Sequence, residues 1–73
     1  MPICSIENNM RTLRFNNGEM TQQDLAKQIG VTRQIVIAIE SRKYFPTLEL
    51  VFKIAGVFKL PLEEIFQYDS DKA

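Results

Sequence analysis

Apolar residues recur along this chain in short blocks at helical spacing, and turn residues separate the blocks. Met10, Leu13 and Phe15 give a weak stripe over about residues 7–16, closed by Asn16-Asn17-Gly18. Thr21 to Ile29 carries Leu25, Ala26 and Ile29 on one face. Thr21 with Asp24 three positions on has the pattern of a capping box, and Gly30 stands where a left-handed C-terminal residue is wanted. Thr32 suits the N-cap of a further helix, to about Ser41, with Val36 and Ile39 turned inward. Pro46-Thr47 starts a fourth helix. Leu48, Val51, Phe52, Ala55 and Phe58 predict its buried face, and Phe52, Phe58 and Met20 are core by spacing. Pro61 opens a short fifth helix carrying Leu62, Ile65 and Phe66.

The run Ile35-Val36-Ile37-Ala38-Ile39 is rich in β-branched residues and fits a strand by propensity alone. The cap at Thr32 and the spacing of Val36 and Ile39 assign it to helix. The chain ends, Pro2–Ile6 and Phe66–Tyr68, are strand candidates that could pair as a small antiparallel sheet. The expected fold is therefore all-α, with five helices in one domain over residues 1–73 and a minor sheet at most.

Composition narrows the function classes. A domain of 73 residues buries a modest fraction of its surface, and the usual staples are missing: there is one cysteine, Cys4, and no histidine. Cys4 reads as an inert small hydrophobe, no Cys/His metal site can form, and oligomerisation is the remaining staple. No apolar run approaches a membrane span, and MPICSIENN lacks the basic flank of a signal peptide. A cytoplasmic location is the expectation. An enzyme is not expected: no nucleophile–base set or glycine-rich phosphate loop appears, and Glu63 and Glu64 are adjacent on a helix, so their carboxylates diverge.

Net charge is zero, yet unevenly spread. Between residues 11 and 43, Arg11, Arg14, Lys27, Arg33, Arg42 and Lys43 face only Glu19, Asp24 and Glu40. After residue 60, Glu63, Glu64, Asp69 and Asp71 face only Lys72. One part of the molecule is basic and its tail acidic.

The stretch QQDLAKQIGVTRQIVIAIES, residues 22–41, reads as helix, tight turn, helix. Small Ala26 permits a close crossing, Gly30 supplies the turn, and Leu25, Ile29, Val31, Val36 and Ile39 fill the angle between the helices. With MTQQDLAKQIGVTRQ (20–34), IESRKYFPTLELVFKIA (39–55) and PLEEIFQY (61–68), the chain resembles the Cro and phage-repressor type of regulator, the Xre family. It is most similar to the very short prokaryotic members that are little more than a DNA-binding domain. Some of these are dimers whose bundle is extended by a sheet from the chain ends.

The resemblance implies a lambda-repressor-like fold and a helix over 32–41 lying in the major groove of double-stranded DNA. Thr32, Arg33 and Gln34, then Ile37 and Ala38 one turn on, would reach base edges. Arg33 can donate to guanine O6 and N7, and Gln34 can pair with adenine N6 and N7. Ile37 either packs on a thymine methyl or is buried against Phe45 or the first helix, and Ile35 shares that ambiguity. Gln22, Ser41, Arg42, Lys43 and Tyr44 are the phosphate contacts, although Tyr44 and Phe45 also suit packing beside Pro46. Glu40 reads as structural, paired with an arginine of the first helix such as Arg14. Arg42 stands where the family usually has glycine, which requires another cap or a left-handed arginine.

A single such domain presents too few base-reading side chains for a specific site, which predicts a homodimer on a two-fold operator. The apolar C-terminal residues Leu60, Leu62, Ile65, Phe66 and Tyr68 are the predicted dimer surface. With no further domain to recruit a partner, repression is expected over activation, and no cofactor, metal or small-molecule ligand is implied. The alternative is an interaction module or antitoxin-like partner of another regulator or toxin, suggested by the zero net charge and by Ile35 and Ile37.

Overall fold

A computed structural model describes residues 6–68. The order of elements is β1 (Ile6–Asn8), α1 (Met10–Asn16), α2 (Gln22–Ile29), α3 (Arg33–Glu40), α4 (Leu48–Phe58), a 3-10 turn (Leu62–Glu64) and β2 (Phe66–Tyr68). Four α-helices pack around one core, and the two strands pair antiparallel with Ile6 opposite Tyr68, Glu7 opposite Gln67 and Asn8 opposite Phe66. The expected strand Pro2–Ile6 meets the observed one only at Ile6; Pro2–Ser5, Cys4 among them, and the acidic Asp69 and Asp71 lie outside the described residues.

The helix starts follow from caps. Thr21, Thr32 and Thr47 each sit in extended backbone, and their hydroxyls accept the N–H of Asp24, Ile35 and Leu50. Each cap satisfies one orphan donor, a contribution of about 1 kcal/mol. Asn8 does two jobs at the other end of the core. Its Oδ1 accepts the Met10 N–H at 3.2 Å, and its Nδ2 donates to the Ile39 carbonyl at 3.0 Å, which ties β1 to the end of α3.

The fifth helix expected after Pro61 is a single 3-10 turn. Asn9 explains why it stops. Its side-chain amide takes the Glu64 carbonyl at 2.8 Å and its backbone N–H takes the Ile65 carbonyl at 3.1 Å. Those carbonyls are the ones a continuing helix would use, and the chain turns into β2 instead.

Met10, Leu25, Ala26, Ile29, Val36, Ile39, Leu50, Ile54 and Ile65 form the core. The face of α4 is the main departure from the sequence reading. Leu50, Val51 and Ile54 point inward, whereas Leu48 and Phe52 are 67% and 58% exposed. The segment LELVFKIAGVF is apolar nearly all round, so periodicity admits two stripes, and contact with α2 and with Ile65 selects the second. Phe15 is also exposed: it lies about 200° round α1 from Leu13, off the stripe that Met10 and Leu13 define.

Candidate nucleic-acid interface

The site is built from the angle between α2 and α3. In α2, Thr21 Oγ1 accepts the Asp24 N–H at 3.0 Å and Asp24 Oδ2 accepts the Thr21 N–H at 3.1 Å, a reciprocal capping box. The Thr21 backbone N–H first, and then the Thr21 hydroxyl beside it, hold the Asp24 carboxyl below its ordinary value of 3.8. Gly30 then adopts φ 75°, and the Val31 N–H closes on the Ala26 carbonyl at 3.0 Å. With Ala26 fully buried at the crossing, α3 packs on α2 through Val36 and Ile39, which fixes what remains outside.

Outside stand Arg33, Gln34 and Ile37, with Ala38 half-buried beside them. Ile37 is 39% exposed, so it belongs to the surface, while Ile35 is half-buried against the core. Arg33, Ile37 and Ser41 follow each other at i, i+4 and i+8 and line a shallow groove whose opposite wall carries Arg11, Phe15, Gln22 and Gln23. Gln34 is exposed on the adjoining face of α3. Thr32 is exposed, but its hydroxyl is committed to capping α3.

Beneath the groove lies a polar clamp. Arg14 Nε meets Glu40 Oε2 at 2.6 Å, and Arg14 Nη2 meets Glu40 Oε1 at 2.9 Å. Arg14 Nη1 also donates to the Met20 carbonyl at 2.9 Å, and Gln22 Nε2 reaches Glu40 Oε1 at 3.3 Å. Glu40 is structural, paired with Arg14 as expected, and it holds the half-buried Gln22 amide at the mouth of the groove.

The end of α3 resolves the missing glycine. Arg42 takes the left-handed conformation, φ 64°. Its N–H donates to the Ile39 carbonyl at 3.0 Å and the Lys43 N–H to the Ala38 carbonyl at 2.9 Å, the two bonds of a Schellman cap. The Arg42 guanidinium lies 3.6 Å from Glu7 in an exposed ion pair. Ser41, Lys43 and Tyr44 are exposed alongside it.

The predicted dimer surface is scattered. Ile65 is fully buried in this chain's own core and is corrected to a core residue, because the turn after Glu64 rotates it inward. Leu60 and Phe66 are half-buried against the same core, and Leu62 is half-buried on the 3-10 turn. Only Tyr68 is well exposed. Arg11, Phe15 and Gln23 were missed as groove residues; the off-stripe position of Phe15 was the one signal available for it. Among the described residues no cluster of His, Cys, Asp and Glu could hold a metal ion, and no helix is long and apolar enough to cross a membrane.

Comparison with known proteins agrees with this architecture. The helix-turn-helix family HTH_3 matches residues 10–65. An uncharacterized HTH-type transcriptional regulator of Methanocaldococcus jannaschii, MJ0272, is 55% identical over 53 residues, covering 73% of this chain and 80% of its own. The HTH-type transcriptional regulator YgzD of Bacillus subtilis is 36% identical over 66 residues, 90% of this chain and 98% of its own. A crystal structure of a Bacteroides fragilis protein superposes with a TM-score of 0.72 at 19% identity, over 85% of this chain and 98% of the other, and so shares the fold. The chain belongs to the Xre-like helix-turn-helix family, a family of DNA-binding transcriptional regulators and not of enzymes.

Proposed function

We propose that residues 1–73 act as one sequence-specific DNA-binding domain, a repressor that binds a two-fold operator as a homodimer with α3 in the major groove. The observation that carries this reading is the free face of α3: Arg33, Gln34 and Ile37 stand exposed while Val36 and Ile39 hold the helix to the core. Arg33 suits guanine, Gln34 suits adenine, and the Ile37 and Ala38 methyl groups suit thymine. Thr32, its hydroxyl engaged in the cap, contributes through its methyl group.

Gln22, Ser41, Lys43 and Tyr44 flank that face as phosphate ligands, and Arg11 across the groove adds a cation. Arg42 can join them, because its exposed pair with Glu7 is worth little and opens at small cost.

The test is selection of duplexes from a random pool at physiological salt, followed by affinity of the winner against salt. The expected result is a two-fold motif with half-sites about 34 Å apart and a log–log slope that counts the phosphate contacts. Recovery of no motif would transfer the reading to an interaction module that binds another regulator or a toxin.

A further inference from the structure

Phe15 is 66% exposed on α1, and its ring belongs to neither the core nor a helix cap. It lines the groove on the wall opposite Arg33 and Ile37. Its place there is fixed from both sides. The preceding Arg14 is clamped to Glu40, the last residue of α3, and the Phe15 carbonyl accepts the Glu19 N–H at 3.0 Å in the loop towards α2. Apart from Ile37, the other exposed large apolar side chains, Tyr44, Phe45, Leu48, Phe52 and Tyr68, lie outside this groove.

The surroundings of Phe15 are polar and basic. Arg11 precedes it by about one turn, roughly 6 Å along the helix, and Gln22 and Gln23 share its wall. Arg14 and Glu40 neutralise each other, which leaves Arg11 and Arg33 against the carboxylate of Glu19 among the groove residues. A cation, an aromatic ring and an amide in one row complement a DNA backbone. Each phosphate is an anion, and between phosphates the strand offers the carbon edge of a deoxyribose. With α3 in the major groove, base edges face α3, and the opposite wall meets the strand that borders the groove.

We propose that Phe15 covers a deoxyribose of that strand while Arg11 and Gln22 hold the neighbouring phosphates, so that α1 joins α2 and α3 in contacting DNA. The inference rests on the operator reading above and adds an apolar contact to it. Two consequences set this contact apart from those around it. It releases no counterion, because it neutralises no charge. It reads no base, because every deoxyribose offers the same edge.

The test titrates the full chain at several salt concentrations against two probes, the selected duplex and a random-sequence duplex of equal length. Phe15→Ala should weaken binding to both about fivefold, the loss expected when a large apolar side chain is left partly in water. The log–log salt slope and the base preference should stay unchanged. Arg11→Ala should instead lower the slope by about 1. Thermal melts of Phe15→Ala and the wild type should coincide, because the ring is exposed. The chain has no tryptophan, so Phe15→Trp supplies one indole, whose emission should shift to the blue on either duplex. Undiminished affinity of Phe15→Ala, or indole emission indifferent to DNA, overturns the proposal. A melting temperature lowered by Phe15→Ala assigns the ring to the fold and overturns it as well. Preference relaxed at one base pair marks a base contact and overturns the sugar assignment. A wild type that selects no motif, yet loses random-duplex affinity on Phe15→Ala, supports the contact and sinks the operator reading. A two-fold motif bound equally well by Phe15→Ala does the reverse.

Discussion

Arg14 and Glu40 meet in a two-pronged ion pair, 2.6 Å and 2.9 Å, with side chains only 12% and 9% exposed. The pair joins α1 to the last residue of α3, and Gln22 brings the start of α2 to the same carboxylate. The pose of α3 therefore rests on a polar clamp at one end and on Asn8 holding the Ile39 carbonyl beside it. Apolar packing alone would hold α3 against α2 but would leave its rotation less determined.

Removing one partner should be worse than removing both. Arg14→Ala leaves Glu40 buried with only Gln22 and leaves the Met20 carbonyl without its side-chain donor; a cost of about 3 kcal/mol is expected. Arg14→Met with Glu40→Met should recover most of that in urea unfolding. A double variant as unstable as the single one would mean that the cost lies in lost packing and not in a stranded charge.

DNA affinity should separate base readers from phosphate ligands. Arg33→Ala and Gln34→Ala are each expected to cost about 1–3 kcal/mol on the selected operator and to relax preference at one base pair. Lys43→Ala should weaken all sequences alike and lower the salt slope by about 1. Titrations at several salt concentrations check both.

The capping box makes α2 sensitive to acid. Because the Asp24 carboxyl is held below 3.8 in the fold, its contribution is present above that value and is lost as pH falls through the lower folded one. Asp24→Asn should therefore flatten the acid limb of the stability profile below about pH 4. Unfolding midpoints between pH 2 and 6 measure it; an unchanged limb would exclude Asp24 as a contributor.

Two left-handed positions should respond in opposite directions. Gly30, at φ 75°, has open space around a Cβ, so Gly30→Ala costs backbone strain alone, about 1 kcal/mol. Lys59 ends α4 at φ 57° without that freedom, and Lys59→Gly should stabilise by about 0.5–1 kcal/mol. Thermal melts of the two variants, shifted down and up respectively, would show it.

Much of the site is legible in the linear chain because local rules write it. Thr21, Thr32 and Thr47 cap the helices that follow, and Gly30 makes the turn, all within four residues of the bonds they satisfy. The exposed triplet Arg33, Gln34 and Ile37 follows from the phase that Val36 and Ile39 impose on one helix. At Arg42 the chain left two endings open, another cap or a left-handed arginine, and the structure takes the second.

What the tertiary structure alone decided is how elements share surface. The sequence of α4 offers two apolar stripes, and only the arrival of α2 and Ile65 selects Leu50 and Ile54 over Leu48 and Phe52. The segment after Pro61 has a helical pattern, yet Asn9, more than fifty residues away in the chain, takes its terminal carbonyls and the strand pairing does the rest. Phe15 and Arg11 join the groove because α1 is clamped to α3 by Arg14. Caps and turns are set by neighbours along the chain, so sequence determines them. Burial is a relation between distant elements, and periodicity cannot choose a face when both are apolar.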